Sequence, residues 1–333
     1  APLPAGPRPP TAGVWTSAAE LASRPQSGPA WQAVKSAADG SLGTPAIANQ
    51  DSDHDVLTQA VALVYARTGA EAYRSKAAAA ISAAIGTERG GRTLALGRNL
   101  VSYVIAADLI GLGGYDPALD ARFRAWLASV RTEALGGDTL VSTQESRPNN
   151  WGTMAGASRM AADVYLGDTG DLDRAATAFQ GWLGDRRVYA GFSFGDLSWQ
   201  ADPSQPVGID PPGAVKQGLA TDGALPDDMR RGCAFALPPC HTNYAWEAMQ
   251  GVVVAAEILA RRGYDSFGWS DRAVLRAAQF LDRLDHQYGG WWATADDTWQ
   301  PWLINSAYGT RFPATSPAGV GKIMAWTDWV FGA

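Results

Sequence analysis

Two short clusters of polar residues carry most of the side chains that could do chemistry in this sequence. The first lies within residues 144–151 and combines amide, guanidinium and indole groups: Gln144, Arg147, Asn149, Asn150 and Trp151. Pro148 disfavours helix at the residue before it, so Asn149 or Asn150 is expected to cap a helix that starts here. Such groups at a helix N-terminus suit the binding of a carboxylate or of sugar hydroxyls.

The second cluster lies within residues 225–247 and contains the only two cysteines of the chain, Cys233 and Cys240. We expect them to form a disulfide in an exported protein, whereas in the cytosol they would be free thiols. A bridge here would fix the separation of Arg231 and His241, as catalysis requires. Tyr244 follows in the sequence. Its ring can be buried in the core while its hydroxyl faces a cleft. Two thiols and one histidine are too few for a structural zinc, so no metal is expected.

Four further residues are weaker candidates. His54 starts a helix and either lies on the surface or faces a cleft. Arg98 either lines a substrate groove or pairs with acids on the surface. Trp199 and Gln200 lie in a segment rich in Gly, Pro and Asp and are expected to contact sugar.

The elements that must position these residues are helical. Apolar residues recur at three- and four-residue spacing, whereas alternation typical of strands is scarce, which predicts an all-α fold. The predicted helices are His54 to Arg67, Ala70 to Ile85, Arg92 to Leu112, Ala118 to Thr132, Asn150 to Leu166, Asp171 to Leu183, Asn243 to Arg262 and Ser270 to His286.

The predicted helices form pairs joined at glycines, which is typical of an array of helical hairpins. We therefore expect one α/α toroid, an incomplete barrel of hairpins, over residues 13–333. Residues 187–241 form a long irregular insertion that is expected to wall the cleft, because ordinary connections rarely exceed ~12–15 residues. Residues 1–12 are expected to be a loose, Pro-rich tail.

Charge and composition exclude several functions. The 333 residues include 27 Lys+Arg and 33 Asp+Glu, a net charge of -6, which argues against a nucleic-acid binder. No apolar run reaches the ~18 residues that a membrane-spanning helix needs. The sequence starts without Met, which fits a removed signal peptide and favours a secreted, extracellular protein. A monomer is expected.

The two clusters resemble the alginate lyases and related uronate polysaccharide lyases of α/α toroid fold. The resemblance rests on Asn149-Asn150 at a helix start and on the Leu-Pro-x4-Arg-Gly pattern of residues 225–232, followed by a His/Asn/aromatic patch. It implies that Asn150 and Arg231 neutralise the substrate carboxylate. Trp151 occupies the position of a family histidine, and the family tyrosine aligns with His241 when Asn243 is the shared asparagine.

The resemblance implies β-elimination from a β-1,4-linked uronate polymer such as alginate, polymannuronate or a glucuronan, without a cofactor. Neutralising the carboxylate stabilises the enolate-like transition state, and Tyr or His transfers protons. Tyr244 is preferred over His241, because a positive charge from Arg231 would favour the phenolate.

Two other functions are open at this stage. A glycoside hydrolase on the same fold would use two carboxylates drawn from Asp222, Asp227, Asp228 and Glu247. A glycan-binding protein without activity would depend on the 14 Trp residues as stacking surfaces.

Overall fold

The computed structural model describes residues 6–332, and its regular structure is almost entirely helical. Its helices are α1 (Ala18–Leu21), α2 (Gly28–Asp39), α3 (His54–Thr68), α4 (Glu71–Ala84), α5 (Thr93–Leu109), α6 (Leu112–Tyr115), α7 (Pro117–Val130), α8 (Leu140–Ser146), α9 (Asn150–Leu166), α10 (Thr169–Trp182), α11 (Pro226–Met229), α12 (Tyr244–Ala260), α13 (Trp269–Tyr288), α14 (Gln300–Tyr308) and α15 (Thr327–Phe331). A 3-10 helix covers Ala295–Asp297, and two short strands, β1 (Val215–Lys216) and β2 (Leu219–Ala220), pair antiparallel.

The predicted all-α class is confirmed, and each predicted long helix is present with ends shifted by a few residues at most. Asn149 caps α9 by accepting a hydrogen bond from the backbone N–H of Trp151, and Gly167 ends the helix in the left-handed conformation. The sequence patterns did not predict α2, α8 or α14. α8 is short, and α2 and α14 each carry a proline in the first turn that interrupts the apolar pattern.

Three long helices, α5, α9 and α12, run side by side with their N-terminal ends at the same face of the molecule. They approach so closely that side chains are excluded where they cross. A Cβ atom on Gly97 would lie 2.9 Å from the backbone N of Ala155, and one on Gly251 would lie 2.2 Å from the carbonyl carbon of Thr153. α3 packs against α5, while α4 and α10 cover α3 and α9 from outside, so helical hairpins build a toroid-like arrangement.

The C-terminal segment closes the gap between the last and the first helices. Lys322 is buried and donates hydrogen bonds to Asp55 of α3 at 2.7 Å and to Asn99 of α5 at 2.6 Å. The indole N–H of Trp326 donates to the carbonyl of Val56. The ring of helices is thus completed by irregular chain, as an incomplete barrel requires.

The insertion of residues 187–241 contains only β1, β2 and α11 as regular structure. Cys233 and Cys240 form the predicted disulfide. The loop that they close packs on Trp199, whose indole N–H donates to the carbonyl of Cys233 at 3.1 Å and whose ring meets Phe235 edge to face. The insertion therefore has a small core of its own.

The described part of the N-terminal tail contacts α12. Residues 6–12 are exposed, yet Thr11 donates its backbone N–H to the carbonyl of Arg261, and Arg8 pairs with Glu257 at 3.3 Å. These contacts attach the tail to the C-terminal end of α12. The remainder of the predicted tail, residues 1–5, lies outside the described residues. No helix within residues 6–332 is long and apolar enough to cross a membrane.

Candidate active site

The N-terminus of α9 is occupied by two carboxylates of the insertion. Asn149 donates from Nδ2 to Asp227 at 3.0 Å, and the backbone N–H of Asn150 donates to Asp228 at 3.0 Å. Helix N-termini attract anions, and here the protein supplies them from α11. The expectation that this helix end is open to a substrate carboxylate therefore needs correction, because Asp227 and Asp228 of the insertion bind there instead.

Both carboxylates of α11 are buried. Asp227 pairs with Arg230 at 2.8 Å and also accepts the backbone N–H of Gly195 at 3.2 Å. Burial, and then the charge of Asp227, raises the pKa of Asp228 well above its usual range. The hydrogen bond from the backbone N–H of Asn150 and the charge of Arg231 act in the opposite direction, so the contact with α9 partly offsets the cost of burying this carboxyl.

Asn150 connects α9 to α12. Its Nδ2 donates to Oε2 of Glu247 at 2.9 Å, and only 1% of the residue is exposed. Its Oδ1 atom is buried and has no hydrogen-bond partner within residues 6–332. An unsatisfied buried amide oxygen is costly, so this acceptor is free to take a hydrogen bond.

Glu247 lies at the centre of a group of charges at this face. Burial raises its pKa, and Asp296 adds to that effect, whereas Arg98, the hydrogen bond from Asn150 and Arg231 act in the opposite direction. Arg98 is itself buried, with Nε donating to the carbonyl of Gln50 at 2.9 Å and a guanidinium N–H directed at Asp296 at 3.4 Å. The cluster therefore combines two arginines with two carboxylates.

Arg231 and Tyr244 belong to the same cluster. The Arg231 guanidinium lies over the Tyr244 ring, 3.8 Å from its centroid, and both side chains are half-buried. The backbone N–H of Arg231 bonds to the carbonyl of Asp228, so the turn that packs on α9 also positions this guanidinium. The close contact joins the insertion to the first residue of α12.

His241 lies at the edge of this cluster and is exposed. Its Nε2 donates to the carbonyl of Gly290 at 2.7 Å, and its ring packs against Trp291. With Nε2 used in this way, the neutral imidazole has Nδ1 as its acceptor. A role for His241 as a base would therefore fall to Nδ1.

Trp151 lies beside the cluster, between α5 and the turn before α9. The guanidinium of Arg147 is 4.6 Å from the centroid of its ring, and that of Arg92 is 5.2 Å away. Arg92 also donates to Oε1 of Gln50 at 3.0 Å, the residue whose carbonyl binds Arg98. This patch and the cluster around Glu247 therefore share Gln50.

Four candidates from the sequence lie away from this face or use their polar groups within the protein, and we omit them from the proposed site. Gln144 is buried and bonds to Arg159 and to the carbonyl of Ala175. Gln200 is also buried and bonds both ways to Val207, while Trp199 is fully buried in the insertion.

His54 is the fourth. It is buried, with Nδ1 2.7 Å from the hydroxyl of Tyr103, and burial lowers its pKa, so it remains neutral in the interior.

Sequence reasoning missed Gln50 and Asp296 altogether and considered Glu247 only for a hydrolase. Asp296 lies in the short 3-10 helix after Trp291 and Trp292, and no periodic pattern marks it in the sequence. The position of Glu247, one helical turn from Tyr244 at the start of α12, was the available signal.

The four carboxylates considered for a hydrolase do not form an open pair. Asp222 pairs with Arg276 of α13 at 2.9 Å, and Asp227 and Asp228 are buried against α9. Ten of the fourteen tryptophans are buried, so most of them build the core and do not offer stacking faces. Both observations weigh against the two alternative functions.

Comparison with known proteins agrees with the resemblance in the sequence. Residues 45–192, which contain α3 to α10, match the family model described as Alginate lyase. The match supports a polysaccharide lyase, and at the family level it confirms the predicted alginate lyase-like assignment for this part of the chain. It includes Asn150 and Trp151 but ends before Arg231 and Tyr244. No curated protein and no solved structure matches the chain.

Proposed function

We propose that the protein cleaves a β-1,4-linked uronate polymer, of the alginate, polymannuronate or glucuronan type, by β-elimination. The observation that carries the proposal is the Arg231 guanidinium stacked on Tyr244 at the face where Asn150, Glu247 and Arg98 also lie. A cation, a phenol and an amide at one site supply the roles that this elimination needs.

The reaction requires removal of the proton at C5 of a uronate residue. The C5–H electrons move into the C4–C5 bond as the bond from C4 to the bridging oxygen breaks, and that oxygen takes a proton. The negative charge that develops on the C6 carboxylate must be stabilised for C5–H to become acidic. In this proposal the half-buried Arg231 guanidinium provides that stabilisation, and the buried guanidinium of Arg98 adds positive charge to the site.

In the proposed mechanism Asn150 contacts the substrate only after it has lost its hydrogen bond to Glu247. It is almost fully buried and its amide is bonded to Glu247, so it reaches a substrate carboxylate only when Glu247 releases that amide. The raised pKa of Glu247 favours release, because a protonated carboxyl is a weaker acceptor than a carboxylate. We propose that substrate binding exchanges the Glu247 contact for the substrate carboxylate.

Tyr244 is the proposed base, and after it takes the C5 proton its hydroxyl can protonate the leaving oxygen. As the base, Tyr244 reacts as the phenolate, and the Arg231 guanidinium lies 3.8 Å from the centroid of its ring. His241 is proposed as a second base or as a partner of the carboxylate. We further propose export of the protein, which the disulfide favours, and a monomeric state.

Product analysis tests the proposal. The protein is incubated with polymannuronate, polyguluronate and glucuronan, and absorbance of the unsaturated uronate end is followed together with the release of reducing ends. An unsaturated product supports the lyase. New saturated reducing ends would establish the hydrolase instead, and binding with no product on any substrate would establish a glycan-binding protein.

Substitution of Arg231 or Asn150 by Ala should lower turnover about 100-fold or more, since both groups act on charge that develops in the transition state. Arg187, whose side chain is 91% exposed, provides a charge-matched control, and Arg187→Ala should leave turnover unchanged. Thermal unfolding of each variant separates loss of catalysis from loss of fold. Turnover of Arg231→Ala equal to that of Arg187→Ala would remove Arg231 from the mechanism.

A further inference from the structure

Two arginines surround one half-buried indole at the edge of the candidate site. Arg147 and Arg92 lie over Trp151 at 4.6 and 5.2 Å from the centroid of its ring. They come from separate parts of the chain, Arg92 from the residue before α5 and Arg147 from the turn between α8 and α9. Their convergence on one ring concentrates positive charge at a defined place.

The described chain compensates only one of these two charges. Arg147 pairs with the partly exposed Asp138 at 3.4 Å, whereas Arg92 donates to the uncharged Gln50 and forms no ion pair within residues 6–332. The face of an indole attracts a guanidinium, while like charges held near one ring repel each other. A bound anion would offset the charge of both guanidiniums.

The position of the patch relates it to the catalytic cluster. Gln50 accepts from Arg92 through its side chain and from Arg98 through its backbone carbonyl. Arg98 in turn acts on Glu247. Gln50 thus links the Trp151 patch to the group of charges around Glu247, and Trp151 directly follows Asn150 in the chain.

From these contacts we infer that Arg92, Trp151 and Arg147 form a second anion subsite, which binds the carboxylate of a uronate residue next to the one that reacts. The inference rests on the proposed function, because it takes the ligand to be a polyuronate. The guanidinium N–H groups supply charge-assisted hydrogen bonds to the carboxylate, and the indole fixes the two guanidiniums in position. Trp151 thereby serves binding at the position where the family has a histidine.

Direct binding tests the subsite without catalysis. Retardation of the protein in native gels that contain polymannuronate is compared with gels that contain neutral hydroxyethylcellulose. We expect retardation by polymannuronate only, and we expect Arg92→Ala and Arg147→Ala to weaken it about tenfold, the effect of losing about 1.4 kcal/mol. The control is Arg89→Ala, which removes the same charge from an exposed residue of the same loop.

Kinetics provide the second test. In Arg92→Ala the KM for polymannuronate should rise by a larger factor than kcat falls, whereas Arg89→Ala should keep both. Equal KM values for these two variants, or equal retardation by the neutral polymer, would overturn the subsite. A wild-type protein that cleaves no polyuronate but shows Arg92-dependent retardation would refute the lyase and leave the subsite standing.

Discussion

Among single residues, Tyr244 and His241 compete for the proton-transfer step. Tyr244 contacts Arg231, whereas His241 is exposed and bonded to Gly290. Tyr244→Phe keeps the ring stacked and removes only the hydroxyl, so turnover should fall at least 100-fold with little change in thermal unfolding. His241→Ala should cause a smaller loss. Product formation measured across pH decides between them, and near-normal turnover of Tyr244→Phe beside an inactive His241→Ala would make His241 the base.

Glu247 gives the site a dependence on pH. Burial raises its pKa, so it takes up a proton at a higher pH than an ordinary glutamate as conditions become acidic. Below that pH the carboxyl no longer holds the Asn150 amide as a charged acceptor, so this contribution to kcat should increase as pH falls and be lost as pH rises through the raised pKa. In Glu247→Gln, which cannot titrate, this change of kcat with pH should be absent. An unchanged pH profile, with a lowered kcat at every pH, would reduce Glu247 to a structural role.

The residue types at the site were predictable, but their contacts were not. Asn150, Arg231 and Tyr244 belong to two clusters that the sequence separates by about 80 residues, and the fold brings them to one face. For Gln200 and Trp199 the prediction from residue type was misleading. Both side chains are of types that bind sugars, but both are buried in the insertion. Burial depends on which segments pack together, and neither composition nor spacing determines that.

Helices with clear ends were the most predictable elements. α9 begins at the N-cap Asn149 and ends at Gly167, as the pattern of caps and apolar residues indicated. The docking of α11 on α9 was not predictable, since Asp227 and Asp228 resemble ordinary surface acids in the sequence. Only the structure shows that the anion site of the helix end is filled from within the chain.

The insertion depends on another buried carboxylate, Asp210. Its Oδ1 accepts the backbone N–H of Ala201 at 3.0 Å, its Oδ2 is buried without a partner in the described chain, and burial raises its pKa to about 7. Because the folded protein then binds the proton more tightly than the unfolded chain, this group stabilises the fold most at low pH. That stabilisation is lost as pH rises from about 4 to about 7.

Asp210→Asn should remove this dependence, because the amide stays neutral at every pH. Thermal unfolding is measured at pH 4.5 and pH 8. The free energy of unfolding of the variant, relative to that of the wild type, should be higher at pH 8 than at pH 4.5. The difference should be of the order of a few kcal/mol, since one pKa unit equals about 1.4 kcal/mol. Asp202→Asn, in an exposed part of the same insertion, serves as the control. A constant difference between Asp210→Asn and wild type at both pH values would contradict the raised pKa.

For the whole molecule, net charge and local charge predict opposite effects of salt on the binding of a polyanion. The net charge of -6 repels such a substrate, so screening by salt should lower KM if net charge dominates. At the candidate site, however, four arginines lie near one another, and two of them, Arg92 and Arg231, form no ion pair within the described chain, whereas Arg98 and Arg147 pair with Asp296 and Asp138. Charges within about 10 Å, the Debye length at 0.1 M salt, act more strongly than distant ones.

We therefore expect the KM for polymannuronate to rise as NaCl increases from about 0.05 to about 0.5 M, because the Debye length shortens over these concentrations and weakens the attraction. Arg92→Ala should show a shallower rise, because one of the attracting charges is gone, whereas Arg89→Ala should keep the slope of the wild type. Initial rates over a range of substrate concentrations at each salt concentration give the slopes. A KM that falls with salt would mean that repulsion by the net negative charge of the protein outweighs attraction of the substrate by these arginines.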